Sequence, residues 1–121
     1  MYKLKKTMEV AGSHHLDLPY ESKCKNNHGH NWIITVGVKG TTLNATGMLI
    51  DFAQISKIVM ALDHTCLNDA FPHNPTAENI AKYIADAVDN ELLGYLADGS
   101  HPGVDFVEVI ESKGNIACYI P

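Results

Sequence analysis

The sequence predicts an α+β domain: a four-stranded antiparallel sheet with two helices packed on one face. Three observations lead there. Apolar and polar residues alternate with a period of two near both ends of the chain, the mark of half-buried strands. Between those segments lie two stretches with apolar residues at three- and four-residue spacing, the mark of amphipathic helices. The resulting order, β, β, α, α, β, β, groups the strands around the helices instead of alternating with them, which favours α+β over a parallel α/β sheet. The 121 residues hold one domain, residues 1–121, without linker, internal repeat or low-complexity segment.

Tyr2, Leu4, Met8 and Val10 alternate with Lys3, Lys5, Thr7 and Glu9 to mark the first strand, with Lys6 as the one break. It runs into Gly12-Ser13-His14-His15-Leu16, and the polar segment from Asp17 to Asn27 reads as a loop. Trp32, Ile34, Val36 and Val38 mark a second strand on the same parity as His28 and His30, and the two strands are expected to form a long antiparallel pair. Gly, Thr and Asn from Lys39 to Thr46 predict a turn region, followed by a short apolar piece from Met48 to Ile50. Asp51 is the expected N-cap of a first helix whose apolar face is Phe52, Ile55, Val59 and Leu62 and whose end lies near Asp63. Leu67 to Asn74 reads as a loop. Thr76 caps a second helix, Glu78 suits its positive end, and Ile80, Tyr83, Ile84, Ala87 and Val88 form its core face. After a loop over residues 98–103, Val104 to Glu111 and Ile116 to Tyr119 are strands joined through Lys113-Gly114-Asn115.

Composition narrows the function. A formal charge of −5 and the complete absence of Arg argue against general nucleic-acid binding, which rests on clustered cations neutralising phosphates. Any anionic ligand must be held by Lys, His, backbone N–H groups or a metal. No apolar stretch of signal-peptide length follows Met1, and the longest unbroken apolar run, Ile58 to Leu62, is too short for a bilayer, so a cytoplasmic protein without membrane contact is expected. Cys24, Cys66 and Cys118 follow no framework spacing and are expected as reduced thiols, the last two as ordinary buried ones.

Four of the seven histidines fall between Ser13 and His30. Two residues apart on a strand, His28 and His30 share a face and make half a metal site. A zinc site takes at least three protein ligands. Antiparallel pairing of the first two strands would add His14, with His15 as the competing choice. Cys24 is either a fourth ligand of a closed site or a nucleophile or base beside a metal. Asp63-His64 is either a helix-end pair, the imidazole favouring the negative dipole end, or a carboxylate orienting an imidazole for proton transfer. Glu111 shares the parity of Val107 and Val109, so a carboxylate lies on an apolar strand face and needs a partner. That partner is a protein cation or a ligand presenting two adjacent N–H donors.

Six markers in order carry a resemblance: Ser13-His14-His15-Leu16, Cys24 through His30, Met48 to Phe52, Leu62-Asp63-His64, Pro75-Thr76-Ala77-Glu78-Asn79 and Val109-Ile110-Glu111. Over almost its whole length the chain resembles the 6-pyruvoyltetrahydropterin synthase family, most closely the bacterial 6-carboxytetrahydropterin synthase branch of queuosine biosynthesis. The resemblance implies the tunnelling fold, in which strands of several subunits close into a barrel, commonly as homo-hexamers with pockets between subunits. It implies a Zn2+ ion on His14, His28 and His30, a catalytic thiol at Cys24, and Asp63 and His64 as its proton-transfer partners. Glu111 is implied as the pterin anchor, with Thr76 and Glu78 lining or bracing that pocket.

The implied substrate is 7,8-dihydroneopterin triphosphate and the implied product 6-carboxy-5,6,7,8-tetrahydropterin. Three residues between Cys24 and His28 match the carboxy-forming branch, while the pyruvoyl-forming enzymes have a longer gap. A 6-pyruvoyltetrahydropterin synthase and a non-catalytic zinc-stabilised pterin-binding protein are the alternatives. The chain departs from the family pattern at Val10, where Phe is usual, at Gly12, where Ala is usual, and at His15, where Arg is common. With that Arg missing, the triphosphate contact falls to Lys23, Lys25 and His15.

Overall fold

The computed structural model describes residues 1–93, 96 and 100–121. Strand β1 (Tyr2–His14) and strand β2 (His28–Gly40) are followed by helix α1 (Phe52–Met60), a short strand β3 (Thr65–Cys66), helix α2 (Ala77–Leu92) and the strands β4 (Gly103–Ser112) and β5 (Asn115–Tyr119). The sheet order is β3-β1-β2-β4-β5. All neighbours are antiparallel except β1 and β3, which run parallel at Gly12↔Thr65 and Ser13↔Cys66. The expected four strands are therefore five. Two residues are too few to show a period, so β3 left no trace in the sequence.

β1 and β2 pair without interruption from Tyr2↔Gly40 to His14↔His28. One face of this ribbon carries Met8, Val10, Trp32, Ile34, Val36 and Val38, all buried against the helices together with Val107 and Val109 of β4. Between Gly37 and Val38 the pairing with β4 shifts register, and Asp105 is the extra residue. This bulge keeps both Val104 and Val107 on the core side. Lys113-Gly114 makes the β4–β5 turn, with Gly114 at φ 84°, a conformation that glycine adopts without a side-chain clash.

Both helix caps form as expected. The Asp51 carboxylate accepts from the Ala53 N–H at 2.8 Å, and the Thr76 hydroxyl from the Asn79 N–H at 3.1 Å. The faces read in the sequence hold at Ile55, Val59 and Leu62 and at Ile80, Ile84 and Val88, but not at Phe52, Tyr83 or the half-buried Ala87. α1 ends at Met60 rather than near Asp63, and buries Ile55 and Val59 while Phe52 is 48% exposed. α2 buries Ile80, Ala81, Ile84, Ala85 and Val88, leaving Tyr83 41% exposed with its ring 4.6 Å from that of Phe71. Small alanines let α2 approach the sheet closely, and that stripe outcompetes the larger Tyr83 for the core. Cys66 is half-buried and Cys118 exposed, so neither is the buried thiol expected. Part of the loop expected over 98–103, residues 98 and 99, lies outside the described residues.

Gly37 is where backbone and side chain approach most closely. A Cβ there would lie 2.3 Å from the Phe106 ring. Gly37→Ala is expected to destabilise the protein by about 1–3 kcal/mol through overpacking, read by urea unfolding. The double variant Gly37→Ala, Phe106→Ala should lose less than the sum of its single changes.

Candidate metal centre

The β1–β2 register places His14 directly opposite His28, and His30 opposite Gly12. The three imidazoles therefore project from one end of one sheet face, their ring centroids 4.6 to 5.2 Å apart. Trp32 lies beneath them, its ring 4.9 Å from His14 and 5.1 Å from His30, and its indole N–H donates to the Gly12 carbonyl at 3.0 Å. A buried Trp with a satisfied N–H makes a rigid, dry floor.

Backbone carbonyls set the orientation of two rings. His14 Nδ1 lies 2.8 Å from the Pro75 carbonyl oxygen, and His28 Nδ1 lies 2.6 Å from that of Asn26. A carbonyl only accepts, so Nδ1 carries the proton in each ring and the Nε2 lone pair is left free. This is how proteins orient histidines toward metals. His14 Nε2 and His30 Nε2 are buried without a hydrogen-bond partner among the described residues. Such orphans are costly unless something else engages their lone pairs. Burial pushes the His14 imidazole below its ordinary value; the Pro75 carbonyl opposes this, His28 and His30 reinforce it, and Glu111 offsets part of it. The neutral form that a metal needs is thus favoured.

Glu111 joins this group. Its Oε1 lies 3.0 Å from His30 Nε2 and 3.4 Å from His14 Nε2. His14, His28, His30 and Glu111 present four ligand atoms within 4.8 Å of one another. Three imidazoles and a carboxylate fit a divalent metal, and zinc is the common ion for such a set. Glu111 follows Val107 and Val109 on one face of β4, which brings it to the imidazoles, and the pairing with β5 shifts register beside it, between Ile110↔Ile116 and Ser112↔Asn115. It also lines a cavity of about 340 Å³ with Glu78 and Asn115.

The other candidates stand outside this group. Cys24 is half-buried in a single 3-10 turn, Lys23–Lys25, capped by Ser22, and its sulfur is not among the four converging ligand atoms. Lys23 and Lys25 flank it, and Lys25 Nζ lies 3.8 Å from Glu21. Asp63 Oδ1 accepts from the Ala11 N–H at 2.8 Å, and its Oδ2 lies 3.4 Å from His64 Nε2. The pair therefore hangs on the edge of β1. His64 has φ 57°, a left-handed conformation uncommon for any residue but glycine, and its side chain is 83% exposed. A cavity of about 530 Å³ has His64 and His30 on its lining, but His64 stands outside the metal group. Thr76 is occupied as the cap of α2.

Sequence reasoning passed over Trp32, the Pro75 and Asn26 carbonyls, and the entry of Glu111 into the ligand set. Trp32 shares the parity of His28 and His30, a signal that was present. The carbonyls carry no residue signature.

The sequence model of 6-pyruvoyl tetrahydropterin synthase matches residues 3–121. The chain belongs to the 6-pyruvoyl tetrahydropterin synthase family. A Pyrococcus horikoshii protein with the provisional name 6-carboxy-5,6,7,8-tetrahydropterin synthase is 50% identical over 58 residues, 48% of this chain and 36% of that protein. The 6-carboxy-5,6,7,8-tetrahydropterin synthase of Bacillus subtilis is 32% identical over 95 residues, 72% of this chain and 65% of that one. The human 6-pyruvoyl tetrahydrobiopterin synthase is 35% identical over 109 residues, covering 80% of this chain and 70% of the human protein. The matched stretch thus spans about a third of the Pyrococcus relative and under two thirds of the Bacillus one. The solved 6-pyruvoyl tetrahydropterin synthase of Caenorhabditis elegans shares the fold of this family member, with a TM-score of 0.73 over 99% of this chain and 95% of that one at 24% identity.

Removing a partner of a ligating His costs about 10–100-fold in metal affinity. His14→Ala, His28→Ala and His30→Ala, which remove a ligand itself, are each expected to lose more than about 100-fold, measured by competition with a chromogenic chelator. Trp32 is the single tryptophan, so Co2+ titration should quench its fluorescence in the parent protein and fail to do so at matched concentrations in the variants.

Proposed function

We propose that the chain is a zinc-dependent lyase that converts 7,8-dihydroneopterin triphosphate and one water to 6-carboxy-5,6,7,8-tetrahydropterin, releasing acetaldehyde and triphosphate, in the cytoplasmic route to queuosine. The observation that carries this reading is the group of three imidazoles and Glu111 beside a cavity, in a chain half of which is 50% identical to a protein with that provisional name. Bound by His14, His28 and His30, zinc supplies Lewis acidity toward the hydroxyls of the substrate side chain. Everything else falls to the chain. With three imidazoles sufficient to hold the ion and the fourth position left to substrate, Glu111 is free to accept the 2-amino and neighbouring ring N–H groups of the pterin, a charge-assisted pair that fixes the ring from the cavity it shares with Glu78. Cys24 removes a proton from the side chain as thiolate, and His64 returns one, held in orientation by Asp63. Lys23, with Lys25 and His15, receives the leaving triphosphate. Thr76 braces the pocket by fixing the start of α2.

Asp63 and His64 hang on the β1 edge, outside the ligand group. We propose that they serve the thiol of a neighbouring subunit in a homo-hexamer. Two features support assembly. Among the described residues, β1 has a strand partner on its outer side only at Gly12 and Ser13, with Ala11 beside them bonded to Asp63 and His64, and β5 closes the other end of the sheet with a free edge. Exposed edges of this length template pairing with another chain. Ile33, Ile116 and Tyr2 add exposed apolar surface on the strands.

A second reading is 6-pyruvoyltetrahydropterin synthesis, favoured by the longer match to the human enzyme of that name. The products decide. Acetaldehyde with a carboxypterin is expected from zinc-loaded protein given 7,8-dihydroneopterin triphosphate, whereas retention of the three-carbon side chain after triphosphate loss would establish the second reading. Cys24→Ala should keep its zinc and lose at least about 10²-fold in kcat. If it loses the metal instead, the thiol belongs to a closed structural site. Co-expressed Cys24→Ala and His64→Ala chains, each inactive alone, should recover part of the activity in mixed oligomers. Failure to recover it would confine the site to one subunit.

A further inference from the structure

Beyond His14, the chain leaves the sheet and must place Cys24 before it re-enters as β2. β3 likewise stops after Cys66 and turns into a 3-10 turn, Leu67–Asp69, so the backbone ladder between the two ends there. Side chains continue it. Asn68 Oδ1 accepts from the His15 N–H at 2.9 Å while Asn68 Nδ2 donates to the His15 carbonyl at 2.9 Å. Asn74 does the same for Asp17, at 2.8 Å in both directions. Each amide therefore takes both backbone groups of one residue, as a strand neighbour would. The intervening Leu16 bonds to the other side, its N–H donating to the Cys24 carbonyl at 2.7 Å. Alternation of partners from one side to the other is the bonding pattern of a central strand, built here from two asparagine amides and one backbone carbonyl.

The two amides are themselves anchored. The Asn74 carbonyl accepts from the Thr76 N–H and from Asn79 Nδ2, both at 2.8 Å, which ties it to the start of α2. Asn68 lies four residues after His64, on the far side of β3. Directly after Asn74, the Pro75 carbonyl orients the His14 ring. Residues 68–79 thus carry the references for His14, for the 15–17 segment and, through Leu16, for the turn that bears Cys24.

We propose that Asn68 and Asn74 are positioning residues for the Cys24 thiol: their amides clasp the 15–17 segment so that the Lys23–Lys25 turn sits at a set place beside the ligand group. This rests on the role given to Cys24 above. The metal depends on the clasp far less, because His14 and His28 face each other as a pair in the β1–β2 ladder and His30 follows in the same register. Loosening the clasp moves the thiol and leaves the imidazoles in place.

The test uses the metal-loaded full chain carrying Asn68→Ala, Asn74→Ala or Asn68→Asp. The last preserves volume and the acceptor for the His15 N–H but turns a carboxylate toward the His15 carbonyl, so it opens the clasp without a cavity. Metal content, kcat, KM and the iodoacetamide alkylation of each cysteine, resolved by peptide mass analysis across pH 6–9, are measured together. The exposed Cys118 is the internal reference. Expected are unchanged metal content, a KM that rises less than kcat falls, because His15, Lys23 and Lys25 share the loosened segments, a fall in kcat of about 10²-fold, the size of loss a misplacement of about 1 Å can cause, and a change of at least about threefold in the Cys24 to Cys118 alkylation ratio, since thiol reactivity follows its surroundings. Variants that lose melting temperature but keep the parent kcat and alkylation ratio overturn the proposal and leave the asparagines a structural role only. The alkylation ratio reads the clasp even if Cys24→Ala proves fully active, an outcome that would instead sink the catalytic reading of Cys24.

Discussion

The uninterrupted antiparallel ladder between β1 and β2 is the constraint on which the rest depends. It runs from Tyr2↔Gly40 to His14↔His28 in a single register. Side chains alternate across a strand, so a slip of one residue would turn the apolar set to solvent and split His14 from His28 and His30. Burial of Val10, Trp32, Ile34 and Val36 against the helices is what forbids that slip. The same free energy that forms the core therefore aligns the ligands. Placing the imidazoles at the end of the ladder, beyond the last large core residue, keeps them next to the cavities that His30 and Glu111 line.

Buried polarity is concentrated where the ladder ends. His14 is the one polar side chain in the fully buried set of described residues, and it is 1% exposed. Its Nδ1 is satisfied by Pro75 and its Nε2 is not, an arrangement that is costly in isolation and reasonable beside a cation. Glu111 brings a negative charge to the same point. A carboxylate among imidazoles lowers the electrostatic cost of gathering a divalent ion there, and alternation along β4 from Val107 and Val109 puts it on their face. The loop side of the centre is organised differently, by asparagine amides that stand in for a strand. Regular structure thus holds the three imidazoles, and side-chain bonding holds the segment from His15 to Asp17.

Much of this was legible in the residues. The strands show because apolar residues recur at every second position, and the helix starts show because Asp51 and Thr76 are chemically suited to cap them. The shared parity of His28, His30 and Trp32, and that of Glu111 with Val107 and Val109, put chemistry and core on one face before any coordinates are consulted. The orientation of the helices was less legible. Tyr83 and Phe52 fit the helical period and are exposed, because close packing against the sheet selects the alanine stripe of α2 and because α1 is too short to bury its first turn.

The sequence by itself determined the α+β class, the capped helices, the family and the candidate ligands, since each of these rests on local periodicity, on capping chemistry or on residue identity. Tertiary structure alone decided the parallel bridge of β3, the convergence of Glu111 on the imidazoles, the use of the Pro75 and Asn26 carbonyls to orient them, and the clasp of Asn68 and Asn74 on His15 and Asp17. The physical reason is common to all four. Each joins groups far apart in the chain or uses backbone atoms that every residue possesses, and neither distance nor a carbonyl oxygen leaves a pattern in the order of side chains.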